Sequence, residues 1–305
     1  MNVCMVMLSK PCTLVRCCLR WSSTYKRQTP AEYCLNLVKK NDYESFLCTL
    51  LLPNNVRSSA FAIRAFNTEI ALVEDQVKDD QIGLMRLKFW EETLNKTYDG
   101  KPPKNPTHLE LHRVLQENKL SKHYFKRLIE ARFNQLSNSI FINLESLEKY
   151  AENTVSSVYY LILEAQGTKD VHTDHYASHL GKAHGIVTLI RSVPYNAQKR
   201  KMVLPQDILM KHNVSSESIF QGKSTKELRD VVYDVSCRAK QHFDKALSMK
   251  KQIKKESRII FLSSTIVGNY LEKLQRADFD IFDPKLSKRN NVLPLQLYWN
   301  KLLNK

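Results

Sequence analysis

LLPNNVRSSAFAIRAFNTEIALVEDQV, residues 51–77, decides the fold. Pro53 stops a helix arriving from Asp42, whose side chain suits an N-cap. From Val56 to Val77 the apolar residues Ala60, Phe61, Ile63, Ala65, Phe66, Ile70 and Val73 return every three or four positions, the period of a helix with one buried side. No alternation of period two competes with it, and the segment is long enough to run through a core.

The same period continues outward. Ile82 to Tyr98 reads as a helix that stops at Asp99-Gly100 and the loop KPPKNP. Helices are expected over Leu109–Leu120, Ser121–Leu136 with a Ser cap, Asn143–Ala165 ending at Gly167, and His175–Val193 ending at Pro194. Lys201–Leu204 reads as extended and leads to Pro205. Thr225 to about Lys251, Ser257–Leu274 and Leu295–Leu303 complete about ten helices, an all-α bundle. Only 7 glycines in 305 residues disfavour turn-rich β folds and Gly-rich phosphate loops.

Charge divides the chain. The formal net charge is +16, which favours an anionic partner such as an acidic leaflet, a nucleic acid or a phosphorylated ligand. Residues 1–31 carry Lys10, Arg16, Arg20, Lys26 and Arg27 and no acid, with apolar residues able to form one side of a short basic helix. That is the pattern of a mitochondrial transit peptide, with Arg20-Trp21-Ser22-Ser23 a suitable processing site. The body is then expected over residues 32–305. Of seven cysteines, Cys4, Cys12, Cys17 and Cys18 fall in the leader; Cys34, Cys48 and Cys237 are too scattered for a metal or a disulfide set. No apolar run reaches the ~20 residues of a membrane span, so membrane contact is expected to be peripheral.

Four pieces, LLPNNVR with Ala65-Phe66, YAENTVSSVYY, Arg191 within LGKAHGIVTLIRSVPYN, and LPQD at Leu204–Asp207, stand in the order and at the separations of the squalene and phytoene synthase family, which the chain resembles from about residue 40 to 275. The resemblance implies an all-α isoprenoid synthase fold. It also implies a site in which two aspartate-rich motifs on facing helices hold Mg²⁺ on a prenyl diphosphate, since Mg²⁺ prefers oxygen ligands and carboxylates four apart share a helix face. The family's first motif, F-C-R-x-x-D-D-x-x-D, falls on Phe66 to Asp75. The Arg position is Thr68, the first two Asp positions are Ala71 and Leu72, and Asp75 alone remains. The second falls on Gly185 to Asn196: Arg191 remains, and the carboxylate positions hold Ser192, Tyr195 and Asn196. The small-residue patch becomes Val155 to Tyr159, which narrows any tunnel near Tyr159.

One carboxylate cannot hold a Mg²⁺ cluster, so no catalytic residue, metal or cofactor is assigned. Asp75, Arg191, Tyr159, Phe66 and Asp207 are the candidates for a retained ligand pocket, and Lys199-Arg200-Lys201 for an anion or lipid patch. Loss of the acids with RSVPYN and LPQD kept resembles the branch of the family concerned with assembling mitochondrial respiratory complex I. That implies complex I subunits or other assembly factors as partners, action early on the matrix side of the inner membrane, and no catalysis. Two alternatives stay open: a lipid- or prenyl-diphosphate transferase with a remodelled site around Asp75 and Arg191, and a basic matrix RNA-binding protein. Aromatics are not interleaved with the basic clusters, so no nucleic acid is expected. His172, His175 and His179 fall near one helical side without a completing ligand and read as surface or packing residues; Asp230 and Asp234 read as a solvated face.

Overall fold

A computed structural model describes residues 28–138 and 140–303; the expected transit peptide, residues 28–31 apart, lies outside the described residues. Every regular element among them is helical. The chain opens with α1 (Pro30–Asn41), α2 (Tyr43–Leu50) and α3 (Asn54–Leu72). Thr29 and Glu32 close a capping box on α1, and the Asp42 carboxylate accepts from Ser45 N to start α2. Arg57 explains much of LLPNNVR: its guanidinium donates from Nε (3.1 Å) and Nη2 (2.8 Å) to the Leu52 carbonyl, which the end of α2 leaves open.

Helix α3 ends at Leu72, five residues before Val77, the end expected from periodicity. A 3₁₀ turn, Glu74–Gln76, and extended Val77 follow. Next come α4 (Asp80–Tyr98), α5 (Pro106–Glu117), α6 (Lys122–Asn138), α7 (Leu144–Ala151) and α8 (Ser157–Gln166). The hydroxyl of Ser121, the expected cap of α6, goes to Glu164 instead. A π-helical turn, Glu152–Ser156, joins α7 to α8, and Gly167 ends α8 at φ 78°.

Helix α9 (Val171–Gln198) is the longest described. It runs through Pro194, where the sequence predicted a stop. Pro194 removes one amide from the helix, yet Val193 and Ala197 on either side are buried, and their packing holds the helix past it. Short helices α10 (Gln206–Lys211) and α11 (Ser216–Phe220) lead to α12 (Lys226–Met249), capped by Thr225. The last part is more broken than expected: α13 (Lys255–Arg258), a 3₁₀ turn, α14 (Ser264–Arg276), α15 (Pro284–Ser287) and α16 (Leu293–Leu302).

Helix α9 is the axis. It packs along α12 on one side and against α7, the π turn and α14 on others, while α3 lies against α1, α5 and α8. Two glycines set the closest approach. A Cβ on Gly181 would stand 2.7 Å from Ser156 Cα, and one on Gly185 would stand 2.8 Å from Ala151 Cα, so backbone meets backbone there. The core between these layers is apolar and aromatic: Phe66 sits edge-on to Trp90 (5.5 Å) and Phe125 (5.0 Å).

Candidate functional site

A cavity of about 770 Å³ opens between α3 and α9, closed by parts of α2, α8, α14 and the α15–α16 segment. Arg64, Asn67, Thr68, Ala71 and Leu72 line it from α3, spaced three and four apart as one helix face requires, and Asp75 lines it from the 3₁₀ turn that follows. His184, Gly185, Thr188, Leu189, Arg191 and Ser192 line it from α9. The two stretches that resemble aspartate-rich motifs therefore do face one another across one space. Along those two stretches the cavity presents Ala71, Leu72 and Ser192.

The acids that do line it are already engaged. Asp42 caps α2. Glu44 Oε2 accepts from Arg191 Nη1 at 2.6 Å. Asp75 Oδ1 accepts from Lys199 Nζ at 2.5 Å and from the Tyr195 hydroxyl at 3.1 Å. The carboxylate, and after it the Tyr195 hydroxyl, hold the Lys199 pKa above its ordinary value. Glu74, beside it, pairs with Lys201 at 2.6 Å. Mg²⁺ does not fit this donor set: a hard dication needs several free oxygens, and each carboxylate here already answers a cation or a helix end. Among the described residues no group of three or more His, Cys, Asp and Glu side chains is placed to hold a metal.

Cations dominate what remains. Among the described residues six basic ones line the cavity (Arg64, Arg132, Arg191, Lys273, Lys288 and Arg289) against those three acids. Arg191 stacks over Tyr270 at 5.4 Å besides its pairing with Glu44. Arg64 is the anomaly. It is 7% exposed, its Nε is buried without a hydrogen-bond partner, and it has no ion pair among the described residues. Among the described residues Arg132 bonds only neutral oxygens, Asn67 Oδ1 and the Leu128 carbonyl, both at 2.7 Å, and burial lowers its pKa. An unpaired guanidinium set inside a protein is costly, and the group it best accepts is an anion.

Behind the charges lies a neutral relay. The Tyr159 hydroxyl bonds His184 Nδ1 at 2.8 Å and Ser263 Oγ at 2.6 Å, joining α8, α9 and the start of α14. Burial pushes the Tyr159 hydroxyl up and holds the His184 imidazole down to about 4, so both are neutral at neutral pH.

Of the expected pocket residues, the structure brings Asp75, Arg191 and Tyr159 to the cavity. Phe66 does not line it: it points from the other side of α3 into the core. Asp207 does not either; it is exposed near the start of α10, accepting from Ile208 N at 2.7 Å. Lys199, Arg200 and Lys201 each hold an acid of the chain itself, with Arg200 on Glu217. His179 turns to His242 (Nδ1 to Nδ1, 2.9 Å) while His172 and His175 are exposed, so the three histidines share no site. Arg64, Arg132 and His184 were missed. Arg64 was within reach of sequence reasoning, since it stands four, seven and eleven residues before Thr68, Ala71 and Asp75.

The model of the squalene/phytoene synthase family matches residues 38–296. The chain is 45% identical over 273 residues to "NADH dehydrogenase (ubiquinone) complex I, assembly factor 6" of Bos taurus, covering 88% of this chain and 82% of that one. It is 39% identical over 282 residues to the Drosophila melanogaster homolog of that factor, covering 90% and 84%. In fold it is similar to a dehydrosqualene synthase crystal structure, with a TM-score of 0.78 at 19% identity over 90% of this chain and 95% of that one.

Proposed function

The chain belongs to the squalene/phytoene synthase family, and from that premise we propose that it is a non-catalytic assembly factor for mitochondrial respiratory complex I. In this reading residues 1–31 direct import, and the body works early in assembly on the matrix side of the inner membrane with complex I subunits or other assembly factors. The observation that carries it is the cavity. The facing helices of a diphosphate-handling fold are kept, but the carboxylates that would bind metal are replaced by Ala71, Leu72 and Ser192, and Asp75 is held by Lys199. The 45% identity to a protein named as an assembly factor supports the same reading. Among the described residues no helix is long and apolar enough to cross a membrane. The test is depletion of the protein followed by native gels of respiratory complexes: assembled complex I falls and returns with the wild-type chain. Normal complex I after depletion removes the proposal.

Arg64 supports a second part of the reading, that the cavity takes an anionic, partly apolar ligand directly on guanidinium groups without metal. The rival transferase reading requires turnover of farnesyl or geranylgeranyl diphosphate with Mg²⁺, abolished by Asp75→Ala. The rival RNA reading requires recovery of cross-linked RNA and a steep loss of affinity with salt.

A further inference from the structure

Helix α16 is apolar on two opposite sides. Leu293, Gln296, Leu297 and Asn300 recur at positions three and four apart and face the body: Leu293 and Leu297 are buried, Gln296 accepts from Asn269 Nδ2 at 2.8 Å, and Asn300 donates to Thr265 Oγ1 at 2.8 Å. Leu295, Tyr298, Trp299 and Leu302 follow the same spacing on the opposite side. They are 70%, 53%, 61% and 59% exposed, with Val292 at 55% just before them. A surface helix normally turns its apolar stripe inward. Here Leu293 and Leu297 do so and two polar contacts add to the anchoring, yet a second set of large apolar side chains points out, a contiguous patch of the kind that marks an interaction site.

The surroundings of the stripe are basic. Lys288 and Arg289 precede the helix and Lys301 lies near its end. Beside that end is a second hollow, about 590 Å³, whose lining includes Lys255, Arg258 and Lys301 with Ile259, Leu262 and Leu302; among the described residues Glu256 is the one acid in it. Arg258 is half-buried at its wall, and Lys255, Arg258, Lys288 and Lys301 form no ion pair among the described residues. An outward stripe of Leu, Tyr and Trp, amphipathic rings included, with unpaired cations at its rim matches one kind of partner: an anionic bilayer surface. Tyr and Trp prefer the headgroup level, Leu enters the acyl boundary, and Lys and Arg meet phosphates.

We propose that α16 lies in the plane of an anionic membrane, with Leu295, Trp299 and Leu302 entering the lipid and the Arg258 hollow holding a lipid phosphate. This deepens the inner-membrane part of the reading above and rests on it, but it names a surface that the assembly role does not require.

The experiment uses the full chain with vesicles of phosphatidylcholine, with or without phosphatidylglycerol, read by flotation. Wild type partitions onto the anionic vesicles and releases as salt rises. Leu295→Ser/Trp299→Ser, at exposed positions, keeps the wild-type circular dichroism and melting temperature and loses at least about tenfold in partitioning. Arg258→Gln/Lys301→Gln loses the preference for anionic over neutral vesicles. Residues 1–27 are the same in every variant, so the differences belong to α16 and its hollow. Equal partitioning by Leu295→Ser/Trp299→Ser and wild type overturns the proposal. So does self-association that this variant abolishes while partitioning is unchanged, since the stripe is then a contact between copies of the chain. No complex I component enters the assay. Normal complex I after depletion therefore removes the assembly reading alone, and unchanged partitioning removes the membrane surface alone.

Discussion

Lys199 Nζ lies 2.5 Å from Asp75 Oδ1, across 124 residues of chain, and so occupies a carboxylate that lines the cavity. Both side chains are more than a third exposed, so the pair itself contributes little to stability. Its consequence is chemical: the acid is neutralised by the chain's own ammonium group. Lys199→Ala is expected to change the unfolding free energy by less than about 1 kcal/mol. Titration calorimetry is expected to find no Mg²⁺ binding in wild type or variant. Saturable Mg²⁺ binding that Asp75→Asn removes would contradict this account of the cavity.

Arg64 gives an expectation of the opposite sign to most core substitutions. A buried guanidinium with no acid beside it stores an unfavourable desolvation. Arg64→Met keeps the length of the side chain and removes the charge, and is expected to raise the unfolding free energy by about 1–3 kcal/mol in urea melts. Inorganic diphosphate without Mg²⁺ is expected to raise the melting temperature of wild type and not of Arg64→Met. A destabilised Met variant would mean that the guanidinium is satisfied in the empty protein.

The α9 seam is expected to tolerate no side chain at its two glycines. Gly181→Ala and Gly185→Ala drive a methyl into the backbone of the π turn and of α7, and each is expected to cost about 1–3 kcal/mol despite alanine's better helix propensity. Gly268→Ala is the comparison: its nearest neighbour, Phe243 Cζ at 3.3 Å, is the far end of a ring that can swing aside. Equal stability of the three variants would refute the packing argument.

Acid should loosen the fold from a definite pH. Burial lowers both His108 and His184 from 6.5 to about 4. Between those values the unfolded chain binds protons that the folded chain refuses. The stabilisation is therefore complete above about pH 6.5 and declines as pH falls toward 4, by up to about 1.4 kcal/mol per pH unit for each group. Urea midpoints measured through this range are expected to fall, and to fall less steeply in His184→Gln. Midpoints that rise on acidification would reverse the sign of the argument.

Local signals carried the fold. Asp42 before an apolar helix, Pro53 after it, Thr225 before the Lys226–Met249 helix and the three-four spacing of Ala60 to Val73 are decided by residues within a turn of each other, so they can be read along the chain. The departures have tertiary causes. Pro194 is carried inside α9 by packing on both sides, and the π turn at Glu152–Ser156 sits where the α9 glycines press closest. The site divides the same way. The uncharged residues Ala71, Leu72 and Ser192 are visible in the sequence. That Glu44 meets Arg191, or Asp75 meets Lys199, depends on contacts more than a hundred residues apart. Phe66 stands beside the motif in sequence, yet with Ile63 and Ile70 it belongs to the core side of α3.

The closeness of α9 to Ala151 and Ser156 also bears on how missense variants would look in a cell. Every replacement for Gly181 or Gly185 adds at least a Cβ, so every one meets backbone. A loss of one or two kcal/mol is enough to lower steady-state abundance several-fold through quality control. Substitutions at these two positions should therefore read as missing protein on an immunoblot before they read as any defect of cavity or surface. An allele there resembles a deletion while leaving every candidate functional side chain unchanged.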